Sequence, residues 1–385
     1  MTLIASEGAL PHLKSGSSDW SPRLRPRVDR LVSDLADIDE GEFARVLGSV
    51  AKRRQESFIR GVEKYRAHPW RRDAATEAKI LWKDGTTTLL DYSKDGACGQ
   101  PVLIVPSLIN RAYILDLFPE RSLVKFLVES GFRVYMIDWN EPGSSERGFS
   151  LDDYIAGRLS AALSTILKKA GPPVLVGYCL GGVLSLAAGV LRERDVKGLV
   201  LLATPWDFHK PDTRMARAMK AWRPLFEDAI RLYGIVPAEI MQCFFSMIDP
   251  GEIERKFRAF AGMAQDSQKA RSFVGLEDWT NDGIPLPTKV ARQCLYDLCV
   301  DNSAAKGEWS VAGEKIRAPD FKKPALVIAA KQDRIVPLTS ALAVADEMPH
   351  AEKLLLPTGH VGMLVGARAR SSTYAPMANW IEQVA

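Results

Sequence analysis

Six short apolar runs, separated mostly by helical stretches, constrain the fold of this chain more than any other feature. The runs are PVLIVP, RVYMIDW, PVLVGY, KGLVLLAT, PALVIAAK and EKLLLPT, at residues 101–106, 133–139, 173–178, 197–204, 324–331 and 352–358. Continuous apolar runs of this length are typical of parallel strands buried on both faces. Their alternation with helices predicts an α/β fold with a doubly wound, mostly parallel sheet.

The helical stretches that support this pattern follow the first three runs, at residues 121–131, 151–171 and 181–194. Upstream of the first run, residues 79–92 predict a β-hairpin around an Asp84-Gly85 turn.

The alternation of apolar runs and helical stretches stops between Thr204 and Ala318, where the chain is rich in Trp, Phe, Met and Arg. A structureless loop of this length is implausible, so the interval predicts a mostly helical lid inserted between two late strands. We therefore expect a catalytic domain at residues 76–385, with a lid insertion at about 205–318.

Residues 1–75 form a separate region in this interpretation. About the first twenty residues are rich in Ser, Gly and Pro and are expected to be loose. Residues 28–66 have the apolar spacing and charge of helices. We expect a helical appendage packed on its own domain, with contact to a partner or an apolar surface as the alternative.

Composition excludes several classes of protein. An apolar share of 46% and a charged share of 25% are those of a globular enzyme, not of a disordered chain. The net charge of +4 is too small to argue for nucleic acid. The N-terminus lacks the pattern of a signal peptide, and no apolar run is long enough for a transmembrane helix. We expect a cytoplasmic protein.

The third apolar run leads directly into a cysteine flanked by glycines, in the sequence GYCLGG at residues 177–182. A strand, a tight turn and a helix in this order form the nucleophile elbow, usually written G-x-S-x-G. Glycines are required there because side chains would collide around a strained turn. The helix dipole would stabilise a thiolate at Cys179. We interpret Cys179 as a nucleophile, with a buried structural cysteine as the alternative.

The other four cysteines lack this frame and are interpreted as packing residues; they are Cys98, Cys243, Cys294 and Cys299. No Cys-x-x-Cys pair is present, and no histidine lies at metal-finger spacing. We expect no metal site and a reducing compartment.

A nucleophile of this kind needs a base and an orienting acid, which follow it in the order acid, then histidine. Asp333 follows the run at 324–331, and His360 follows the run at 352–358 on a glycine-containing loop. Both lie at the carboxyl ends of strands, where open α/β sheets react. The alternatives are His209 as the base, ahead of His12, His68 and His350, and Asp207, Asp301 or Asp346 as the acid.

An oxyanion hole needs two backbone N–H groups, one from the residue after the nucleophile and one from a loop after an early strand. The first is Leu180. The loop in VLIVPSLIN makes Ser107 or Leu108 the second, although a plain turn would look the same in sequence.

Sulfur in place of oxygen favours acyl transfer over hydrolysis. A thiolate that attacks a thioester exchanges one thioester for another, so the acyl group stays activated for a second acceptor.

The chain resembles the poly(3-hydroxyalkanoate) synthases, α/β-hydrolase-like enzymes with a G-x-C-x-G-G box, and most of all their short, two-component class. The resemblance covers roughly Val102 to Gly366, about two thirds of the chain. Its segments are GYCLGG, VPSLINRAYILDL, FRVYMIDWNEPGSSERGFSLDDYI, LEDWTNDGIPLPTKVARQCLYDLCVDN, KQDRIVP and GHVGMLVG.

The resemblance implies polymerisation of 3-hydroxyacyl groups from coenzyme A thioesters by a dimer, in the cytoplasm and at the surface of storage granules. It implies a second synthase subunit as well. Cys179 would hold the growing chain and His360 would deprotonate the thiol. Asp333 would match an aspartate that helps to activate the 3-hydroxyl group of the incoming unit.

Two other functions remain open at this point. A cysteine thioesterase or polyhydroxyalkanoate depolymerase would pass the acyl group to water. A granule-associated binding protein would keep the fold without turnover, although it would not need Cys, Asp and His together. GYCLGG does not match the dinucleotide pattern G-x-G-x-x-G, so we expect no cofactor beyond the coenzyme A of the substrate.

Overall fold

The computed structural model describes residues 12, 15, 20–72 and 76–384, so most of the stretch predicted to be loose lies outside the described residues. Within them the central element is an eight-stranded sheet in the order β1-β2-β4-β3-β5-β6-β11-β12. Its strands are β1 (Lys79–Asp84), β2 (Thr87–Asp91), β3 (Pro101–Val105), β4 (Arg133–Asp138), β5 (Val174–Tyr178), β6 (Gly198–Leu202), β11 (Ala325–Ala330) and β12 (Ala351–Leu356).

The pairing of these strands confirms the predicted fold class. β1 and β2 form the antiparallel hairpin expected from sequence, with Gly85 at a φ of 56° in its turn. β2 pairs antiparallel with β4, and every later neighbour pairs in parallel. The central strands β3, β5, β6 and β11 are buried at every residue, as strands covered on both faces must be.

Helices precede, connect and follow these strands. They are α1 (Arg25–Leu35), α2 (Glu40–Arg66), α3 (Leu123–Glu129), α4 (Ser160–Ala170), α5 (Leu180–Leu191), α6 (Arg214–Tyr233), α7 (Ala238–Ser246), α8 (Glu252–Ala261), α9 (Gln268–Asn281), α10 (Thr288–Arg292), α11 (Leu338–Glu347), α12 (Gly362–Val365) and α13 (Ala375–Val384). The stretches predicted to be helical contain α3, α4 and all of α5 except its first residue. Over the described ranges, no helix is both long and apolar enough to span a membrane.

The chain between β6 and β11 is mostly helical, as predicted. It holds α6 to α10 and a π-helical segment, Gln293–Val300. The strands in this interval are only two residues long and form two small ladders; they are β7 (Ile235–Val236), β8 (Leu286–Pro287), β9 (Ser310–Val311) and β10 (Glu314–Lys315).

The chain divides into two compact units. One comprises residues 71–249 and 275–385 and contains the sheet; the other comprises residues 1–70 and 250–274. The sequence-based division instead ran between residues 75 and 76 and assigned residues 250–274 to the lid.

The smaller unit is held together by a close crossing of α2 and α8. A Cβ atom at Gly61 would lie 2.1 Å from the carbonyl oxygen of Phe257, so only glycine permits this approach. Beside the crossing, the Phe257 ring makes edge contacts with Phe58 and Tyr65, at centroid distances of 6.0 and 5.7 Å. This contact between distant parts of the chain explains why residues 250–274 belong to the same unit as α2.

Candidate active site

The turn between β5 and α5 places Cys179 in a backbone conformation that L-residues rarely adopt. Its φ is 54° and its ψ is −125°. Such a residue costs about 1–3 kcal/mol of strain and persists only where its surroundings enforce it. Here the N–H of Cys179 donates to the carbonyl of Leu202 on β6 at 2.8 Å, and its carbonyl accepts from Gly182 at 2.9 Å. The half-buried thiol therefore stands at the start of α5.

The glycines around Cys179 are required by close approach. A Cβ atom at Gly181 would lie 2.1 Å from the carbonyl oxygen of Val105, and one at Gly182 would lie 1.8 Å from Oγ1 of Thr204. A Cβ atom at Gly177 would lie 2.5 Å from the Cα of Gly182. These distances bear out the expectation that side chains would collide there. They also place the first turn of α5 directly against the loop after β3.

Asp333 and His360 are brought together by the ends of β11 and β12. The loops that follow these strands are joined by backbone bonds, including Gln332 N–H to the carbonyl of Thr358 at 2.9 Å. Nδ1 of His360 lies 2.7 Å from Oδ2 of Asp333. The other carboxylate oxygen, Oδ1, accepts from the N–H of Ile335 at 2.9 Å and of Val336 at 2.8 Å. Both oxygens of Asp333 are thus engaged within the protein.

The electrostatics of the imidazole favour its charged form. Burial acts to lower the pKa of His360, but charge and hydrogen bonding from Cys179 and Asp333 outweigh it and raise the pKa to about 10. Because Asp333 occupies Nδ1, Nε2 is the nitrogen left to exchange a proton with the thiol. Asp333 therefore holds His360 by a hydrogen bond, and His360 interacts in turn with Cys179, an arrangement suited to a thiolate–imidazolium pair.

The oxyanion candidates lie on both sides of the contact at Gly181. Leu180 is the first residue of α5, so its N–H has no acceptor within the helix. Ser107 and Leu108 are buried, at 5% and 3% exposure, and Oγ of Ser107 accepts from the N–H of Ile109 at 3.2 Å. The structure thus brings the loop after β3 to the start of α5. Which N–H completes the hole stays a prediction.

Comparison with known proteins identifies the family. Residues 100–367 match the family model described as the alpha/beta hydrolase fold, and residues 51–127 match the N-terminus of poly-beta-hydroxybutyrate polymerase. A poly(3-hydroxyalkanoate) polymerase subunit PhaC from Allochromatium vinosum is 30% identical over 74% of this chain and 81% of its own length. The chain belongs to the poly(3-hydroxyalkanoate) polymerase family. The N-terminal match begins before Val102, where the resemblance seen in sequence started.

Two further comparisons concern a longer relative and a solved structure. The PhaC subunit of Haloferax mediterranei is 28% identical over 80% of this chain, which spans 64% of that relative's length. Among solved structures, a monoacylglycerol lipase from Paleococcus ferrophilus is 16% identical, with a TM-score of 0.48 over 74% of this chain and 97% of its own.

The rival residues of this polymerase-family chain make contacts of their own. Nε2 of His209 lies 3.0 Å from the carbonyl of Val300. Asp207 accepts hydrogen bonds from the N–H of His209 at 3.0 Å and the amide of Asn302 at 2.9 Å. Asp346 forms an ion pair with Lys353. These contacts account for the three side chains without a catalytic role.

The remaining cysteines divide into two pairs. Cys294 and Cys299 are buried, as expected for packing residues, and burial raises the pKa of each thiol to about 12. The same expectation was wrong for Cys98 and Cys243, which are exposed. Cys98 lies on the loop between β2 and β3, where no apolar periodicity is present. Cys243 lies on α7, where the buried Met241 and Phe244 mark a different face and could have indicated its exposure.

Two aromatic residues near the site were missed by sequence reasoning. The ring of Tyr178 lies 5.2 Å from the imidazole of His360, and its buried hydroxyl has no hydrogen-bond partner among the described residues. Nε1 of Trp139 donates to the carbonyl of Pro106 at 3.0 Å and so fixes the start of the loop after β3. Of these two residues, only Tyr178 could have been found from the sequence, by its position within GYCLGG.

In the part of the chain that the structure describes, no group of three or more His, Cys, Asp or Glu side chains is arranged to hold a metal ion. The chemistry available at Cys179 is that of a nucleophile, a base and backbone donors.

Proposed function

We propose that this chain transfers 3-hydroxyacyl groups from coenzyme A thioesters to a growing polyester, with Cys179 as the covalent carrier. The observation that carries the proposal is the position of His360, which is hydrogen-bonded to Asp333 and lies where Cys179 raises its pKa. A thiolate held beside an imidazolium attacks a thioester readily and preserves the activated acyl group. The names of the relatives, poly(3-hydroxyalkanoate) polymerase subunits, support 3-hydroxyacyl groups as the units that are joined.

In the first step, the thiolate of Cys179 attacks the carbonyl carbon of the thioester, and a new C–S bond forms. The oxyanion accepts hydrogen bonds from the N–H of Leu180 and of Ser107 or Leu108. The intermediate then collapses, the C–S bond to coenzyme A breaks, and the imidazolium of His360 gives its proton to the departing sulfur. The products are an acylated Cys179, free coenzyme A and a neutral His360.

In the second step, the 3-hydroxyl group of an incoming 3-hydroxyacyl coenzyme A attacks the thioester on Cys179. Neutral His360 takes the hydroxyl proton, the ester bond forms, and the Cys179 thiolate is released beside an imidazolium. The lengthened chain, still a coenzyme A thioester, then acylates Cys179 again by the first step. We assign Asp333 the role of holding this imidazolium rather than of touching the hydroxyl. Both of its oxygens are already bonded, and its side chain is only 1% exposed.

The setting of the enzyme is part of the proposal. The relatives are named polymerase subunits, and we propose that this chain likewise acts with a second synthase subunit. We place it as a homodimer in the cytoplasm, at the surface of polymer granules.

The test is mass spectrometry of the intact protein after brief exposure to 3-hydroxybutyryl coenzyme A. We expect adducts on Cys179 that lengthen by one hydroxyacyl unit at a time. Cys179→Ala should carry no adduct. Cys179→Ser reports whether oxygen at the same position accepts the acyl group without extending it.

Two results would count against the proposal. A bare Cys179 with free 3-hydroxybutyrate in solution would favour the hydrolase. Chain growth in Cys179→Ala would exclude a covalent intermediate on this residue.

A further inference from the structure

Residues 106–111, called here the oxyanion loop, carry Ser107 and Leu108 between β3 and the short helix that starts at Ala112. The inner end of the loop is held by the core, through the bond from Trp139 to the carbonyl of Pro106 and the contact of Val105 with Gly181. The loop has no helix or strand of its own, so the position of its N–H groups depends on what holds its outer end.

The outer end is held by residues 279–284, called here the clamp segment. The N–H of Ile284 donates to the carbonyl of Ile109 at 2.9 Å, and Asn110 and Gly283 form an antiparallel bridge. Nε1 of Trp279, on a side chain only 6% exposed, donates to the carbonyl of Arg111 at 2.9 Å. The clamp segment therefore binds the oxyanion loop through three successive residues.

Ion pairs hold the same contact between the oxyanion loop and the clamp segment. Nε of Arg111 lies 3.0 Å from Oδ1 of Asp282, and a terminal guanidinium nitrogen lies 3.5 Å from Glu141, which follows β4. Asp282 also acts on Tyr113, since burial and then the charge of Asp282 raise the pKa of this tyrosine. Asp282 thus ties the clamp segment to Arg111 at the outer end of the loop.

We propose that Trp279 and Asp282 are positioning residues of the oxyanion hole. They hold the oxyanion loop where its N–H group meets the developing charge, without touching the acyl group themselves. Such donors act only when they are placed in advance, and a small displacement removes much of their effect. The inference rests on the proposed function in one respect, because it takes acylation of Cys179 as the reaction.

The experiment compares two reactions of the same thiol. Acylation by p-nitrophenyl butyrate passes through an oxyanion, whereas alkylation by iodoacetamide needs only the thiolate. In Trp279→Phe, which keeps an aromatic ring and loses the indole donor, we expect the kcat of acylation to fall about 10- to 100-fold with KM unchanged. Alkylation of the Cys179 peptide, followed by mass spectrometry, should keep its wild-type rate.

Trp380→Phe is the matched control. Nε1 of Trp380 donates to Glu352 at 2.8 Å, so this variant loses a bond of the same kind near β12. It should leave both reactions at their wild-type rates. Asp282→Asn, at a half-exposed position, gives a second test with little effect on folding and should slow acylation less than Trp279→Phe.

Acylation at the wild-type rate in both Trp279→Phe and Asp282→Asn would overturn the inference. An equal fall in acylation and alkylation would do the same, because it would indicate a general loss of the site. Failure of the proposed function is a separate result: it would appear in the wild-type protein as acylation by the ester without polymer growth on coenzyme A substrates.

Discussion

Two regions of the larger unit carry cysteines, one directly before a helix and one inside a helix, and the thiols of these regions differ in chemical environment. Cys179 precedes α5 at a positive φ, half-buried and close enough to the imidazole of His360 to raise its pKa. Cys294 and Cys299 lie inside the π-helical segment Gln293–Val300, where burial raises the pKa of both thiols to about 12. The difference teaches that the backbone frame and the partner, not the residue type, make a thiol a nucleophile.

The sharpest test of this comparison removes one thiol from each region. Cys179→Ala should lower acyl transfer by about 10³-fold or more, as loss of a nucleophile does elsewhere. Cys299→Ala should keep wild-type activity and lower the free energy of unfolding by about 1–2 kcal/mol, because it opens a small cavity. Activity assays and urea unfolding measure the two effects. A large loss of activity in Cys299→Ala would break the comparison.

The next test changes Asp333, which holds His360, the partner of the Cys179 thiol. Asp333→Asn removes a charge that raises the pKa of His360, so this pKa should fall from about 10 toward its ordinary value. NMR titration of the imidazole measures the shift. We expect acyl transfer to fall about 10²- to 10⁴-fold, as when the acid of a triad is neutralised.

The same pKa predicts a pH dependence of stability. A histidine whose pKa is raised from 6.5 to about 10 on folding contributes stability that is complete below pH 6.5 and is lost as the pH rises through about 10. In Asp333→Asn this loss should be smaller, as measured by urea unfolding at both ends of the range. An identical pH dependence in wild type and variant would show that the carboxylate does not set the pKa.

The close glycine contacts that shape the turn at Cys179 can be tested by substitution. In Gly182→Ala the new Cβ would lie 1.8 Å from Thr204, and we expect the free energy of unfolding to fall by about 3 kcal/mol. Gly157→Ala is the matched control, since nothing lies within 4 Å of its Cβ, and it should be neutral or slightly stabilising. Thermal unfolding compares them. Equal stability of the two variants would show that the turn relaxes more easily than its geometry indicates.

The smallest effect is expected at Tyr178, whose buried hydroxyl has no hydrogen-bond partner among the described residues. Tyr178→Phe removes an unsatisfied group and keeps the ring beside His360, so stability should stay the same or rise by about 1 kcal/mol. Acyl transfer should be retained. A marked loss of activity would assign the hydroxyl a part in the reaction.

The sheet could be predicted from sequence because its central strands are buried on both faces. That environment requires uninterrupted apolar runs, and the runs at 101–106, 173–178, 197–204 and 324–331 contain β3, β5, β6 and β11. The site could be predicted for a related reason. Polar residues that follow such runs meet at one edge of the sheet, which is how Asp333 and His360 were found.

Contacts between distant segments could not be predicted. The bond from Trp279 to the carbonyl of Arg111 joins residues 168 positions apart, and a backbone acceptor leaves no trace in the sequence. The approach of Gly61 to Phe257 leaves no trace in the sequence either, so residues 250–274 were assigned to the lid. The loop around Cys98 has no periodic pattern that could indicate its exposure, whereas the apolar face of α7 could have indicated that of Cys243.

The unusual backbone at Cys179 has a consequence for how such proteins diversify. Its φ of 54° is held by neighbouring strands and by glycine contacts, none of which involves the sulfur atom. A serine could occupy the same turn, and the exchange would replace only the sulfur atom by oxygen. The architecture thus separates the ability to fold from the choice of chemistry, and a lineage can move between oxygen and sulfur without rebuilding its scaffold.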